Sequence, residues 1–454
     1  MFKEKETGKN QIKITVVTAY DDPIEGVTVT LFGPDMDSEP LVSTTEKDGI
    51  AIFEQITMGT YSIKATRKGF DQAVIENISI KPGESKEFKI VFEAPPILEE
   101  IFSKSKEFFK SVKSKKYLKS EKIPTQCTKI PVFYGTNRKR ALFLKKPDKF
   151  YGSRRGKLQF GRCWVSIPKD HKMGHIETPS LFRLEFRKNP KKHGVLLDIN
   201  PFSSEDFFKE LKLNVEKSKD KEAFVFVHGF KTTFEQAALR TAQFAYDLGL
   251  ETPIMFSWPS KGTLTFCGYT HDENNIQWTV PHLKFFLEEV SKQSGASRLH
   301  LIAHSMGNRA LTDVVKSIAA EIKKKAKPVF NEIILTAPDI DADIFKKSIA
   351  PQIIKGAKRI TLYASAFDKA LSISKSIHGY PRAGDAGEDI VVVKGVDTID
   401  VSPLETDFFG HTYFATNRDV LNDLFMLLKR SLPPDERHLI KRRISSGDYW
   451  IFRK

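Results

Sequence analysis

Cysteine is scarce in this chain: three residues in 454, Cys127, Cys163 and Cys267, lie far apart and never as C-x-x-C. That spacing excludes a disulfide framework and the common zinc arrangements, and it fits a reducing compartment. Long apolar runs are missing too, since no stretch approaches the roughly 18 residues of a membrane-spanning helix. The N-terminus, MFKEKETGKN, is charged and lacks the apolar core of a secretory signal. The expectation is a cytoplasmic protein, peripheral at the membrane at most.

Acidic residues are in deficit, 57 against 72 lysines and arginines, for a formal net charge of +15. Such an excess attracts polyanions, but no zinc finger, RNP motif or other nucleic-acid module accompanies it, so no nucleic-acid partner is expected. An anionic membrane surface would answer the same charge. Hydrophobic residues at 40% and charged ones at 28% describe a foldable globular chain. Its length exceeds one domain of ~150 residues.

Residues 11–93 read as short alternating strands (IKITVV, VTVTLF, IAIFE, TYSIKAT, AVIENISI, EFKIVFE) separated by the turn signals DDPIEG, EKDG, MGT and KPGES. Without helical periods between them, they predict a small antiparallel sandwich. Residues 94–126 form a linker in which Leu98, Ile101, Phe102, Phe108, Phe109, Val112 and Leu118 recur at near-helical spacing. Eight lysines stand there against two glutamates between 101 and 122. A basic amphipathic helix of this kind either packs on its own protein with a solvated lysine face or lies on anionic lipid. From 127 to 454 strands alternate with helices, the mark of a mostly parallel sheet covered on both faces. The expected strands are AFVFVHGF (223–230), PIMFSW (253–258), RLHLIAH (298–304), FNEIILTAP (330–338) and RITLYAS (359–365). Helices are expected at 232–249, about 275–293, about 307–325 and 420–430.

The chemistry concentrates where RLHLIAH runs into Ser305-Met306-Gly307 and a helix follows at once. A serine on a sharp turn between strand and helix projects its Oγ from the sheet, and small neighbours let the two elements close up. Gly307 satisfies that at +2, and Ala303 stands where glycine is usual at −2. The hydroxyl needs a base, which in this topology follows the serine and an intervening acid. Of the later histidines, His411 (FFGHTYF) sits between the VDTIDV strand and the last helix, His378 comes earlier and His438 lies in the charged C-terminal stretch; His411 is preferred. Asp368, in YASAFDKAL after RITLYAS, is preferred as the acid. Asp339, Asp341 and Asp343 in APDIDAD are its rivals, with helix capping as their plainer role. The run lacks the glycine and distal glutamate of a calcium loop. An oxyanion would rest on the amides of Met306 and, from the loop after FVFVHGF, Phe230. His228 is expected to brace that loop, and His304 to be structural. No cofactor or metal is expected.

Two resemblances follow. Residues 11–93 resemble the transthyretin-like, carboxypeptidase-regulatory-type sandwiches through Gly26-Val27-Thr28-Val29, TEKDGIAIF (45–53), Gly59-Thr60-Tyr61 and Lys68-Gly69-Phe70. Residues 128–430 resemble a bacterial alpha/beta-hydrolase family of undefined function through FVHGF, FSWPS, AHSMGNR, LTAPDID, YASAFDKAL and GHTYF, with PVFYGTNR upstream. The second resemblance implies an alpha/beta-hydrolase fold and a serine mechanism, with Ser305, Asp368 and His411 at the triad positions. Taken together, the expectation is an esterase or lipase-like enzyme on a small-molecule or lipid ester. An amidase or peptidase, and a scaffold that keeps the hydrolase fold for binding, remain alternatives.

Overall fold

A computed structural model describes residues 10–18, 23–34, 39–67, 72–92, 127–141, 146–179, 187–262, 266–322, 328–404 and 413–453. The linker 94–126, Lys68-Gly69-Phe70 and His411 lie outside the described residues.

The N-terminal body consists of β1 (Asn10–Thr18), β2 (Thr28–Phe32), β3 (Leu41–Thr44), β4 (Ile50–Ile56), β5 (Gly59–Thr66), β6 (Ala73–Ile80) and β7 (Ser85–Phe92). They form a three-stranded sheet, β4-β1-β7, and a four-stranded one, β3-β2-β5-β6. Strict alternation decides which side chains meet: Ile12, Ile14 and Val16 from β1 join Tyr61, Ile63 and Ala65 from β5 in one apolar cluster. The turn at Gly49 has φ 74°, and a Cβ there would sit 2.5 Å from the Val16 carbonyl oxygen, so the EKDG signal marks a position only glycine fills. Six strands were expected and seven are found among the described residues, because β3 is mostly exposed and carries no alternating signal, and the expected all-antiparallel pairing is corrected at β1, which pairs parallel with β7.

The second body is an eleven-stranded sheet flanked by helices, with its strands in the order β10-β9-β8-β12-β11-β13-β14-β15-β16-β18-β17. Its elements are β8 (Cys127–Arg140), β9 (Tyr151–Pro168), β10 (Val195–Phe202), α1 (Ser204–Lys217), β11 (Glu222–Val227), α2 (Phe234–Leu248), β12 (Pro253–Ser257), α3 (Phe266–Gln293), β13 (Arg298–His304), α4 (Gly307–Glu321), β14 (Phe330–Thr336), β15 (Ala357–Ala364), α5 (Lys369–His378), β16 (Asp397–Asp400), α6 (Arg418–Arg430), β17 (Ile440–Ile444) and β18 (Gly447–Ile451). Every pairing from β8 through β12, β11, β13, β14, β15 and β16 to β18 is parallel. The central strands are buried along their length, as continuous apolar runs require when helices cover both faces. α2 opens on a full capping box between Thr233 and Gln236 and stops at Gly249 in the left-handed region.

Residues 127–202 extend the sheet as the antiparallel set β8-β9-β10. The C-terminal stretch is also sheet: β17 and β18 form a hairpin, and β18 pairs parallel with β16. Beneath it a buried ion pair, Arg437 Nη1 to Asp423 Oδ2 at 3.1 Å, ties that stretch to α6, while Tyr363 of β15 donates to the same oxygen at 2.5 Å.

A second buried charge cluster closes the loop after β9. His171 lies between Glu177 (Nδ1 to Oε1, 2.8 Å) and Asp247 of α2 (Nε2 to Oδ1, 2.8 Å). Both ring nitrogens face carboxylates, so both donate and the ring is an imidazolium. Burial opposes the charge, but Asp247 and Glu177 outweigh it and push the pKa up to about 9. The folded state therefore holds this proton more tightly than the unfolded chain, whose value is near 6.5. The stabilisation, on the order of 3 kcal/mol, is full below pH 6.5 and is lost as pH rises through about 9. Melting temperatures taken between pH 6 and 10 should show that decline in the wild type and a flatter profile in His171→Gln. Two superimposable profiles would exclude the clasp as its source.

Candidate active site

The end of β13 sets the site. Ser305 adopts φ 52°, a left-handed conformation that a non-glycine residue holds at a cost of roughly 1–2 kcal/mol. Neighbouring groups over-determine it. The Ser305 amide donates to the Thr336 carbonyl of β14 at 3.0 Å, and Asn308 Nδ2 donates to the Ser305 and Thr336 carbonyls at 3.0 and 3.1 Å. A Cβ on Gly307 would stand 2.5 Å from the His228 carbonyl oxygen and 2.8 Å from that of Val227, so α4 leaves the turn in contact with the backbone at the end of β11. A Cβ on Gly229 would stand 2.9 Å from Ser305 Cβ. Glycine at both positions is what lets the serine turn and the HGF loop touch. Ser305 is 2% exposed. Neither its hydroxyl nor the Met306 amide makes a hydrogen bond among the described residues.

The loop that carries Phe230 is braced from below. His228 Nδ1 donates to the Gly229 carbonyl at 2.7 Å, and Nε2 accepts from the Trp258 amide at 3.1 Å. These partners fix the neutral tautomer protonated on Nδ1. Burial, reinforced by the nearby Arg138 charge, holds the His228 pKa well below its ordinary value. The Trp258 ring is fully buried, stacks on His228 at 5.0 Å, and donates to the His228 carbonyl at 2.7 Å. Arg138 lies in the same pocket, 1% exposed. Its Nη2 donates to Thr232 O at 2.7 Å and lies 3.3 Å from His228 Nε2, and its Nε donates to Ser257 Oγ at 2.9 Å. Burial lowers its pKa to about 9, with Asp272 opposing the shift. The Phe230 ring meets Tyr269 edge-on at 5.6 Å.

The two candidate acids occupy different settings. Asp368 caps α5, its Oδ1 accepting from the Leu371 amide at 3.0 Å, four residues past the end of β15. Asp339 is fully engaged: Oδ1 accepts from Ser374 Oγ at 2.5 Å and Arg382 Nε at 3.0 Å, and Oδ2 from Tyr269 OH at 2.6 Å and Arg309 Nη2 at 3.0 Å. Burial alone would raise this carboxyl, but Arg309 and Arg382, with the two hydroxyls, hold it well below the carboxylate range. Asp341 caps the short helical turn that follows. His378 is turned to Glu273 of α3, Nε2 to Oε1 at 2.8 Å, and His438 is exposed. His304 stacks on Phe414 at 4.3 Å.

Residues 203–430 match the family described as alpha/beta hydrolase of unknown function (DUF900), and residues 11–93 match the carboxypeptidase regulatory-like domain. The chain belongs to this hydrolase family. No curated protein matches it. Among solved structures, a type II cohesin–X-dockerin complex from Acetivibrio cellulolyticus is 21% identical over 19% of this chain and 58% of its own, with a TM-score of 0.15. The 3-chlorocatechol 1,2-dioxygenase of Rhodococcus opacus 1CP is 8% identical over 21% of this chain and 63% of its own, with a TM-score of 0.17. The Bacillus anthracis TIE protein is 12% identical over 35% of this chain and 28% of its own, also at 0.17. This chain thus spans less than two thirds of each.

In this hydrolase two supporting groups escaped the sequence reading. Arg138, inside PVFYGTNR, braces the HGF loop from 90 residues upstream, and Arg309, four residues after Ser305 in AHSMGNR, ties α4 to Glu273 at 2.7 Å and to Asp339. Position in a matched motif was the available signal for both. Their partners are distant in sequence, so spacing alone could not assign them.

Proposed function

We propose that this hydrolase cleaves carboxylic esters through an acyl-enzyme, with Ser305 as nucleophile, His411 as base and Asp368 as the acid that orients it. His411 takes the Oγ proton as Oγ attacks the ester carbonyl carbon. The oxyanion rests on the Met306 and Phe230 amides, and collapse expels the alcohol, protonated by His411. Water then attacks the acyl-serine by the same steps. The observation that carries the reading is Ser305 held at φ 52° between a buried strand and a helix, closed against the HGF loop by two glycines. The topology supports the rest. β13, β14 and β15 run parallel, so Ser305 and Asp368 follow strands that end on one edge of the sheet, two strand spacings or about 10 Å apart. Phe414, three residues beyond His411, stacks on the residue preceding the serine. The four partners of Asp339 favour Asp368 over it as the orienting acid.

The test is a panel of p-nitrophenyl esters of increasing acyl length beside matching anilides. Ester turnover in the wild type should fall by about 10⁴ in Asp368→Asn and by about 10⁶ in His411→Ala, with both variants still folded. Preference for anilides would make the enzyme an amidase. No turnover together with firm sedimentation on anionic vesicles would replace the catalytic reading with a scaffold role.

A further inference from the structure

The start of β9 and the start of α3 flank an open pocket of about 290 Å³ lined by Ser153, Arg154, Arg155, His271, Asn274 and Asn275. Every lining side chain is polar and every ionisable one is basic. Such a wall repels an acyl chain and suits a compact, strongly hydrated anion.

Its construction is specific. Successive strand residues normally point to opposite faces, yet Arg154 and Arg155 both line this concavity. The β8-β9 pairing shifts register on either side of Arg138↔Arg155, which allows it. Gly156 permits the irregularity, since a Cβ there would lie 2.9 Å from the Arg138 carbonyl oxygen. Arg155 is held in place: Nε donates to Asn275 Oδ1 at 2.7 Å, Nη2 donates to Asn274 O at 2.9 Å, and the guanidinium lies 5.1 Å over the Trp278 ring. Asn275 is 3% exposed and is itself fixed by donating to Pro259 O at 2.7 Å. The guanidinium plane is thus oriented before any ligand arrives, while Nη1 makes no hydrogen bond among the described residues. Arg154 makes no ion pair or hydrogen bond there at all. By contrast, Arg162 faces Glu210, Arg298 faces Glu222 and Arg443 faces Asp448.

We infer that this pocket is a binding subsite for a phosphate group. A fixed guanidinium offers the paired donors that phosphate oxygens accept, the neighbouring arginine adds charge, and the Ser153 hydroxyl adds a neutral donor. The group arrives either as free phosphate or as part of a substrate. Arg138 donates from Nη1 to Gly152 O, beside Ser153, and reaches His228 with Nη2, so the pocket's rim and the HGF loop share one buried brace.

The full chain is titrated with inorganic phosphate, glycerol 3-phosphate and glycerol at fixed ionic strength, by calorimetry and by the fluorescence of Trp278. One phosphate or glycerol 3-phosphate should bind saturably, glycerol should not, and Ser305→Ala should bind as the wild type does, which separates this subsite from the ester-cleaving reading. The paired substitution Arg154→Gln and Arg155→Gln should weaken binding about 10- to 100-fold while the variant stays folded, and Lys346→Gln, at a lysine that pairs with Asp343 outside this pocket, should leave binding intact. Equal affinity for the two phosphates indicates the free anion, and a clear preference for glycerol 3-phosphate indicates a substrate-borne group. No saturation below about 10 mM, or binding undiminished in the paired variant, overturns the inference.

Discussion

Ser305→Ala should lower ester turnover by about 10⁶ and abolish labelling by a fluorophosphonate probe, with no loss of fold. The size of the effect follows from the roles assigned: without Oγ no acyl-enzyme forms, and only binding and the oxyanion donors are left to act on water. A companion substitution separates chemistry from backbone. At φ 52° a glycine sheds the roughly 1–2 kcal/mol that a Cβ costs in the left-handed region. It gives back about 0.5–1 kcal/mol in unfolded-chain entropy. Ser305→Gly should therefore melt at or above the wild-type temperature while being as inactive as the alanine variant. Ser305→Val, branched at Cβ where the turn is tightest, should melt lower. Persistent labelling of the alanine variant would move the nucleophile elsewhere. A glycine variant that melts well below the wild type would mean that the turn is not what strains this backbone.

Much of this arrangement was legible in sequence because the sheet is built from fully buried strands. VFV, LIA and EIIL runs between helical periods can only be covered parallel strands, and they led directly to Ser305. Legibility failed where tertiary bonds rather than periodicity form an element. α3 was expected near 275 but begins at Phe266, since FCGYTHDEN includes a glycine and no apolar period; Tyr269 and Glu273 are tied by Asp339 and Arg309 instead. The hairpin of β17 and β18 hid behind Lys441, Arg442 and Arg443, whose exposed side chains read as a charged tail. Sequence preferred Asp368 to its rival Asp339 on strand position alone, for a related reason. Asp339 and Asp368 each follow a strand, and what distinguishes them is a set of partners 30 to 70 residues away.

That distinction yields the largest expected effect on stability. Asp339→Asn should destabilise the hydrolase domain by about 3–5 kcal/mol, because Arg309 and Arg382 would both lose their shared anion inside the protein. Tyr269 and Ser374 would face an amide nitrogen on one side, and α3 and α5 would lose the anchor they share through those two hydroxyls. Asp368→Asn keeps its fold within about 1 kcal/mol, since the amide oxygen can still cap α5, and loses turnover instead. Acid should reproduce the first substitution. The Asp339 carboxyl is held below its unfolded value near 3.8, so its contribution is complete above that pH and drains away as the pH falls further. Urea melts of both variants at pH 7, and of the wild type from pH 6 down to 2, measure all three outcomes. If Asp339→Asn is inactive yet as stable as the wild type, and Asp368→Asn is active, the orienting acid is Asp339 and the four-partner hub is the catalytic one.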